Sequence, residues 1–328
     1  VPDVAGARWL VTGGAGYIGA HVVRSLLASG RTPVVLDDLS TGLDGRVPAG
    51  VELVSGSVLD EDLLTDALAE VDGVVHLAGK KSPTESVADP LRYARENVGG
   101  VVSLTAALRR AGCARVVFSS SCSVYGTPTT ASVDEDAPTT PESPYGDSKL
   151  YGERLLHAAG EAYGLGVVSL RYFNVVGAAE PALADTGAHN LVPLVVRAVL
   201  EGRRPQVFGD DWPTPDGTCV RDYVDVRDVA DAHVAAAAAL ERAPRLAAYN
   251  VGQGTGSSVL EVLAVLRETS GADFGHDVLP RRPGDPAAVV GRVDRIAAEL
   301  GWTARHDLRA TLGSAWRAAT AVPASASR

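Results

Sequence analysis

TGGAGYIG, residues Thr12 to Gly19, lies between two patterns that give it meaning. Trp9-Leu10-Val11 before it is the short apolar run of a buried strand, and Gly19 to Leu27 after it has the apolar spacing of a helix. A strand therefore turns directly into a helix through glycines. Gly14, Gly16 and Gly19 satisfy G-x-G-x-x-G, while Gly13, Gly16 and Gly19 satisfy G-x-x-G-x-x-G. Both spacings meet one need: backbone without a Cβ where it approaches a pyrophosphate, and a helix N-terminus whose free N–H groups face the anion. A glycine turn without a ligand is the alternative, and the flanking strand and helix count against it. The next apolar run, Pro33-Val34-Val35-Leu36, ends at Asp37-Asp38. An acid there accepts hydrogen bonds from both ribose hydroxyls and repels a 2′-phosphate, so NAD is expected rather than NADP. Only one of the two acids can hold the ribose; the other is then a solvated loop residue.

Working outward, apolar strand runs alternate with helical patterns: Val71 to Ala78, Val98 to Ala111, Arg115 to Ser121, Pro144 to Tyr163 and Val167 to Asn174. Such alternation predicts right-handed βαβ units and an α/β fold with a Rossmann-like, doubly wound parallel sheet. Beyond Asn174 the pattern loosens. Residues 175–220, rich in Pro, Gly and Asp, are expected to form loops over a ligand. Val226 to Leu240 is expected as a helix, Ala248 to Val251 as a strand, and Pro323 to Arg328 as a frayed tail. The expected division is an NAD-binding unit, 1–174 and 221–252, and a smaller C-terminal substrate-binding domain, 175–220 and 253–328.

Tyr145 and Lys149, four residues apart in the predicted helix Pro144 to Tyr163, share a face. A free phenol has a pKa of about 10 and is a poor base at neutral pH. A nearby ammonium and a positive nicotinamide ring both favour phenolate, and a shift of about 3 units corresponds to roughly 4 kcal/mol. The phenolate could then take the proton of a sugar hydroxyl as hydride leaves the same carbon, with Ser121 bonded to that hydroxyl. An ordinary surface pair on a helix is the alternative, weakened by the dinucleotide motif and the serine at a strand end.

The 328 residues suffice for a sizeable core in two lobes, and the net charge of −10 argues against nucleic acid. No apolar run of about 18 residues predicts a membrane span. The chain runs straight into its first strand, so no signal peptide is expected. Cys113, Cys122 and Cys219 form no C-x-x-C pair, so neither a disulfide framework nor a metal site is expected, and a cytoplasmic setting suits them.

At these motifs the chain resembles the extended short-chain dehydrogenase/reductase superfamily and, within it, the UDP-glucose 4-epimerase family. The resemblance runs from residue 8 to about 318, through LDDLSTG at 36–42, HLAGKK at 76–81, FSSSCSVYG at 118–126, SPYGDSK at 143–149 and RYFNVVGA at 171–178. FGDDWPTPDGTCVRDYVDVRDVADAH at 208–233 and PRRPGDPA at 280–287 narrow it to enzymes of UDP-hexoses. It implies NAD-dependent 4-epimerisation through a transient 4-keto sugar, with UDP-glucose and UDP-galactose as substrates. Another UDP-sugar, such as a UDP-N-acetylhexosamine, UDP-pentose or UDP-uronate, is the alternative, and a non-catalytic NAD-binding sensor is a third reading.

By position, the resemblance implies Tyr145 as base, Lys149 as its activator and Ser121 as hydroxyl partner. Cofactor contacts implied with Gly13, Gly16, Gly19, Asp37 and Asp38 are Tyr17, Ile18, Ser57, Val58, Leu77, Ala78, Gly79, Lys81, Asn97, Ser119 and Tyr172. The nucleotide sugar would meet Asn174, Asn190, Leu191, Gln206, Phe208, Arg221, Tyr223, Arg282, Asp285 and Val289, besides Ser121 and Tyr145. Two guanidiniums suit a diphosphate, because their planar forks bind phosphate oxygens in pairs. Arg281 is expected to stay solvated.

Three departures carry consequences. Gly56-Ser57-Val58 stands where relatives have Gly-Asp and an aliphatic residue, so the adenine is held by a neutral group. Val289 stands where some relatives have tyrosine, which would leave room for a 2-acetamido group. Cys122 and Ser123 follow Ser121 where dehydratases carry acids, so no carboxylic acid is present to protonate a leaving hydroxyl. The resemblance also implies a homodimer paired through helices near Pro90 to Arg110 and Tyr145 to Tyr163, with Leu104, Leu108, Leu150 and Leu155 as candidate contacts.

Overall fold

In the computed structural model, which describes residues 6–130, 132–187, 190–282 and 284–321, the glycine turn leaves the centre of a seven-stranded sheet. In spatial order the strands are Leu246–Val251, Gly166–Tyr172, Arg115–Ser121, Gly73–His76, Arg8–Thr12, Thr32–Asp37 and Glu52–Ser55, all parallel. The chain builds outward from Arg8–Thr12 in one direction and then returns to extend the other. The crevice at this switch, outside the carboxyl ends of the strands, is where such sheets bind ligands.

Both faces are covered, as near-continuous apolar strands require. Helices Tyr17–Ala28 and Val226–Arg242 close one side, where Val22, Leu26, Val229 and Ala236 meet Trp9, Val11 and Val75 from the sheet. Glu61–Leu68, Gly99–Ala111 and Pro144–Tyr163 close the other, packing Leu64, Leu104, Leu108 and Leu156 on Leu10, Val74 and Phe118. Leu104 and Leu108 are fully buried inside the protomer, and Leu150 and Leu155 also pack on its own clusters. The expectation that Leu104 and Leu108 form a dimer contact is therefore corrected, because they satisfy the sheet, while Leu155 stays half-buried. Exposed apolar side chains on this side are Val102, Tyr151 and Tyr163, with Val87 on Pro83–Ala88 and Leu91 on Pro90–Tyr93.

Past Tyr172 the chain leaves the large sheet. Phe173 makes a last bond to Val251, N to O 3.1 Å, and Asn174–Val176 then pairs with Val220–Asp225 in a second sheet. That sheet also takes Gly256–Ser258, Ala288–Gly291 and the short Ser132–Val133. The expected strand Val167 to Asn174 is thus two strands in two sheets. Residues 175–220 are not all loop: Leu191–Leu200 is a helix, and Gln206–Phe208 pairs with Asp277–Leu279. Pro193 sits in its first turn, where a missing N–H costs nothing, and the apolar side of LVPLVVRAVL packs on Val262 and Leu266. Val226–Arg242 runs two residues beyond the expected Leu240. The expected tail at Pro323 to Arg328 lies outside the described residues.

Candidate active site

The glycines do different work. Gly13 has φ of +72°, and a Cβ there would lie 2.8 Å from the Ala78 nitrogen. A Cβ on Gly19 would lie 2.1 Å from the Gly13 carbonyl oxygen. Both line a cavity of about 320 Å³ at the switch point, together with Gly16. Gly14 does not; its missing Cβ instead admits Val35, whose methyl carbons would be 2.8 Å away. The 13, 16, 19 spacing is therefore the ligand-facing one, and Gly14 serves helix-to-strand packing.

Tyr17, Ile18, Asp37, Asp38, Ser57, Val58, Leu77, Ala78, Gly79, Lys81, Ser119, Tyr145, Lys149 and Tyr172 border the same cavity. Asp37 is buried, and its carboxylate accepts from the Ala15 and Leu39 nitrogens, each at 2.9 Å. Burial raises its pKa against the pull of those two bonds. Its oxygens keep further lone pairs for ribose hydroxyls. Asn97 is not on the wall. Its amide oxygen accepts from the Lys80 nitrogen at 2.7 Å, while its amide nitrogen donates to the Lys80 carbonyl and to Ser148. Asn97 thus braces the Leu77–Lys81 turn, whose residues border the cavity.

Sequence reasoning missed part of this wall. Arg46 is buried against it and donates to the carbonyls of Ala184 at 2.7 Å and Ala182 at 3.3 Å. Asp185, Thr186 and Gly187 close the cavity from the second lobe, and Lys81 Nζ lies 3.6 Å from Asp185 Oδ1. No periodicity marks such loop residues; only the charge of Arg46 so near Asp37 and Asp38 was a signal.

Helix Pro144–Tyr163 places Tyr145 and Lys149. Its cap Ser143 accepts from the Gly146 nitrogen at 3.2 Å, Pro144 fits the first turn, and Gly164 ends it in the left-handed conformation at φ +77°. Tyr145 is buried, and the nearby Ser121 side chain favours its phenolate, while Ser121 Oγ itself donates to Ser123 Oγ at 3.2 Å. Its backbone nitrogen donates to Ser86 Oγ at 3.1 Å, and Tyr93 packs edge-on at 6.3 Å between ring centroids. Lys149 Nζ donates to the Ser119 carbonyl at 2.8 Å and lies 5.9 Å from the Tyr145 ring centroid.

Titration in this setting differs from the sequence expectation. Burial pushes the Tyr145 phenol up to about 12, with the Ser121 side chain pulling the other way. Burial pulls Lys149 down to about 8, against the opposing charge of Glu153. The ammonium donates to the Ser119 carbonyl, and burial is the larger influence on the phenol. Tyr172 stands behind them. His233 Nδ1 must donate to the Val229 carbonyl at 2.8 Å, so Nε2 accepts from the Tyr172 hydroxyl at 2.5 Å.

A second cavity of about 310 Å³ lies between the two smaller sheets. Asn174, Asn190, Leu191, Gln206, Phe208, Arg221, Tyr223, Arg282 and Asp285 all border it, as expected from sequence. Arg282 Cζ sits 3.6 Å from the Phe208 ring centroid, a cation-π stack. Arg221 Nη2 lies 3.8 Å from Asp285 Oδ1, and its Nη1 donates to the Val220 carbonyl at 2.9 Å. Arg281 turns outward, paired with Asp211 at 2.7 Å over Trp212. Arg197, Arg203 and Arg204 also border the cavity and were missed, although RRPQVF was in view. Arg203 and Arg204 are held by Glu201 and Asp277.

Ser121 and Val289 border neither cavity. Ser121 ends the strand Arg115–Ser121, two residues beyond Ser119 on the dinucleotide wall. Val289 is buried among Val124, Tyr125, Leu150 and Phe173, with Cys122, the neighbour of Ser121, at the edge. Strand Ala288–Gly291 turns that side chain into the cluster. Burial pushes the Cys122 thiol up to about 12, consistent with a packed rather than reactive residue.

Residues 9–252 match the NAD dependent epimerase/dehydratase family. The chain belongs to that family. Within it, a UDP-glucose 4-epimerase of Azospirillum brasilense is 47% identical over 92% of this chain and 89% of its own length. A UDP-glucose 4-epimerase of Stenotrophomonas maltophila, solved with bound NAD and formylated UDP-arabinopyranose, superposes with a TM-score of 0.92 at 37% identity, over 96% of this chain and 98% of that one. The UDP-Glc/GlcNAc 4-epimerase of Campylobacter jejuni is similar at a TM-score of 0.86 and 32% identity, over 97% and 100% of the two chains. The two cavities and the tyrosine between them are thus set in an epimerase/dehydratase fold.

Proposed function

We propose that this chain is an NAD-dependent UDP-hexose 4-epimerase, interconverting UDP-glucose and UDP-galactose through a transient 4-keto sugar. The carrying observation is the placement of Tyr145: buried on the wall of the dinucleotide cavity, with Lys149 four residues on along the same helix and on the same wall. Nicotinamide supplies hydride acceptance and return when bound. Tyr145 moves the proton of the C4 hydroxyl, Ser121 orients that hydroxyl, and Lys149 holds the Ser119 carbonyl and the ribose side. The glycines, Asp37 or Asp38, Ser57 and Lys81 would hold NAD. Arg221 and Arg282 would hold the diphosphate and Asp285 the uridine ribose, since guanidinium forks match phosphate oxygens.

In this reading residues 1–174 and 221–252 serve NAD, and residues 175–220 and 253–328 serve the nucleotide sugar. UDP-GlcNAc and UDP-GalNAc are further candidate substrates, since valine at position 289 is smaller than the tyrosine that the resemblance places there in some relatives. We further propose a cytoplasmic homodimer. The unpaired Cys113, Cys122 and Cys219 suit a reducing compartment, and Val87, Leu91, Val102 and Tyr151 present an apolar face on adjoining helices.

The test is turnover of UDP-galactose by the purified chain, with a parallel panel of UDP-N-acetylhexosamines, UDP-pentoses and UDP-uronates. Formation of UDP-glucose at a rate above the rest supports the proposal. A faster reaction with another sugar reassigns the substrate, and no turnover of any would leave an NAD-binding sensor.

A further inference from the structure

We infer that Glu153 is a positioning residue for this site: paired with Arg171, its buried carboxylate clamps the segment Ser119 to Tyr125 and faces the Lys149 ammonium from one helical turn away. The inference rests on the roles proposed above for Tyr145, Ser121 and Lys149. Tyr145, Lys149 and Glu153 recur every four residues along helix Pro144–Tyr163, which puts them on one face. Glu153 borders neither ligand cavity. It lines a separate groove with Arg171, so it reaches the chemistry only through other groups.

The clamp has two arms. Glu153 Oε1 accepts from Ser120 Oγ and, at 2.9 Å, from Arg171 Nε, while Oε2 accepts from Arg171 Nη2 at 2.7 Å. Ser120 stands between Ser119, whose carbonyl receives the Lys149 ammonium, and Ser121, whose side chain favours the Tyr145 phenolate. One bond thus sets the backbone that carries both. The second arm runs from Arg171 Nη1 to the Tyr125 hydroxyl and the Glu135 carbonyl, each at 3.0 Å. Tyr125 in turn donates to Asn250 Oδ1 at 2.7 Å. The turn after Ser121 is therefore fastened at both ends by one ion pair whose partners are less than a tenth exposed.

Charge is the second effect. Lys149 is faced by Glu153 and Tyr145 on its own helix and by His76 from the neighbouring strand. Burial keeps His76 neutral, lowering it to about 3. Glu153 is then the anion opposing the desolvation of Lys149, although Arg171 shares its charge. Removing that anion while keeping its shape lets Lys149 lose its proton at a lower pH.

Two variants of the protein as purified with its NAD separate the effects. Glu153→Gln keeps an acceptor for Ser120 and removes the charge. Its kcat for UDP-galactose is expected to fall about tenfold with KM within about twofold, as misplacement of reacting groups requires. The alkaline limb of its kcat profile is expected to move about one unit to lower pH. Ser120→Ala removes the clamp and keeps the ion pair, so kcat is expected to fall while the limb stays in place. NAD retention, by absorbance after gel filtration, and circular dichroism are read on both. A folded, NAD-loaded Glu153→Gln enzyme with wild-type kcat and pH limb overturns the inference. If that variant does not fold, wild-type kcat in folded Ser120→Ala overturns it. Tyr145→Phe is the control: turnover surviving there refutes the underlying catalytic reading instead.

Discussion

Replacing Val289 by tyrosine separates a packing residue from a gate. Val289 is 7% exposed and touches Val124, Tyr125, Leu150 and Phe173, so a phenol has no cavity to enter. Overpacking of this kind costs roughly 1–3 kcal/mol. At about 2 °C per kcal/mol for a chain of this size, Tm should fall by roughly 2–6 °C. The converse change, Val289→Ala, removes two buried methyl groups at about 0.8 kcal/mol each, or roughly 1.6 kcal/mol before any cavity term. Its Tm should fall by about 3 °C or more on the same scale. Differential scanning fluorimetry reads both, and turnover of UDP-glucose and UDP-GlcNAc is measured on the same samples. Because the strain is in the core beside Tyr125, any loss of turnover should be similar for the two sugars. An unchanged Tm in Val289→Tyr, with a loss confined to the acetamido sugar, would refute the packing argument in favour of the gate.

Tyr145→Phe should lower turnover at least about a hundredfold with the circular dichroism spectrum unchanged, the loss expected for a general base; near-normal turnover in the folded variant counts against it. Gly13→Ala, at φ +72° and with a Cβ 2.8 Å from the Ala78 nitrogen, should weaken NAD binding at least about tenfold by displacing that turn, as calorimetry would show. Stability should fall as pH drops from about 6.5 towards 4. Burial lowers His21 and His233 to about 4 and His76 to about 3, so the unfolded chain takes up these protons first and the contribution present above pH 6.5 is lost on acidification. Asp222, raised to about 6 by burial, and Asp37, also raised by burial, act in the opposite sense, but they are two groups against three. A Tm equal at pH 7 and pH 5 would contradict this balance. Leu91→Glu combined with Val102→Glu should convert the proposed dimer to monomer by light scattering, and a dimer mass retained by the double variant would place the interface elsewhere.

Local rules were enough wherever the determinant is short in sequence. TGGAGYIG sits between a strand and a helix whose apolar periods need no distant partner, and Pro144 to Tyr163 was legible to the residue because Ser143-Pro144 and Gly164 punctuate it. Of the expected residues that border the second cavity, Phe208, Arg221, Tyr223, Arg282 and Asp285 were carried by two motifs. What local pattern does not encode is which distant backbone a side chain meets. Asn97 braces Lys80, and Lys149 donates to the Ser119 carbonyl, because the folded turn brings those groups within reach. Val289 packs beside Phe173 because pairing beside Arg221 in the second sheet sets which side of its strand is buried. Arg46 and Asp185 meet on the dinucleotide wall although they lie far apart in sequence, and only tertiary packing brings them there. Helical and strand periods are properties of neighbours along the chain, whereas burial, and with it the direction of every shifted pKa, is a property of the tertiary fold.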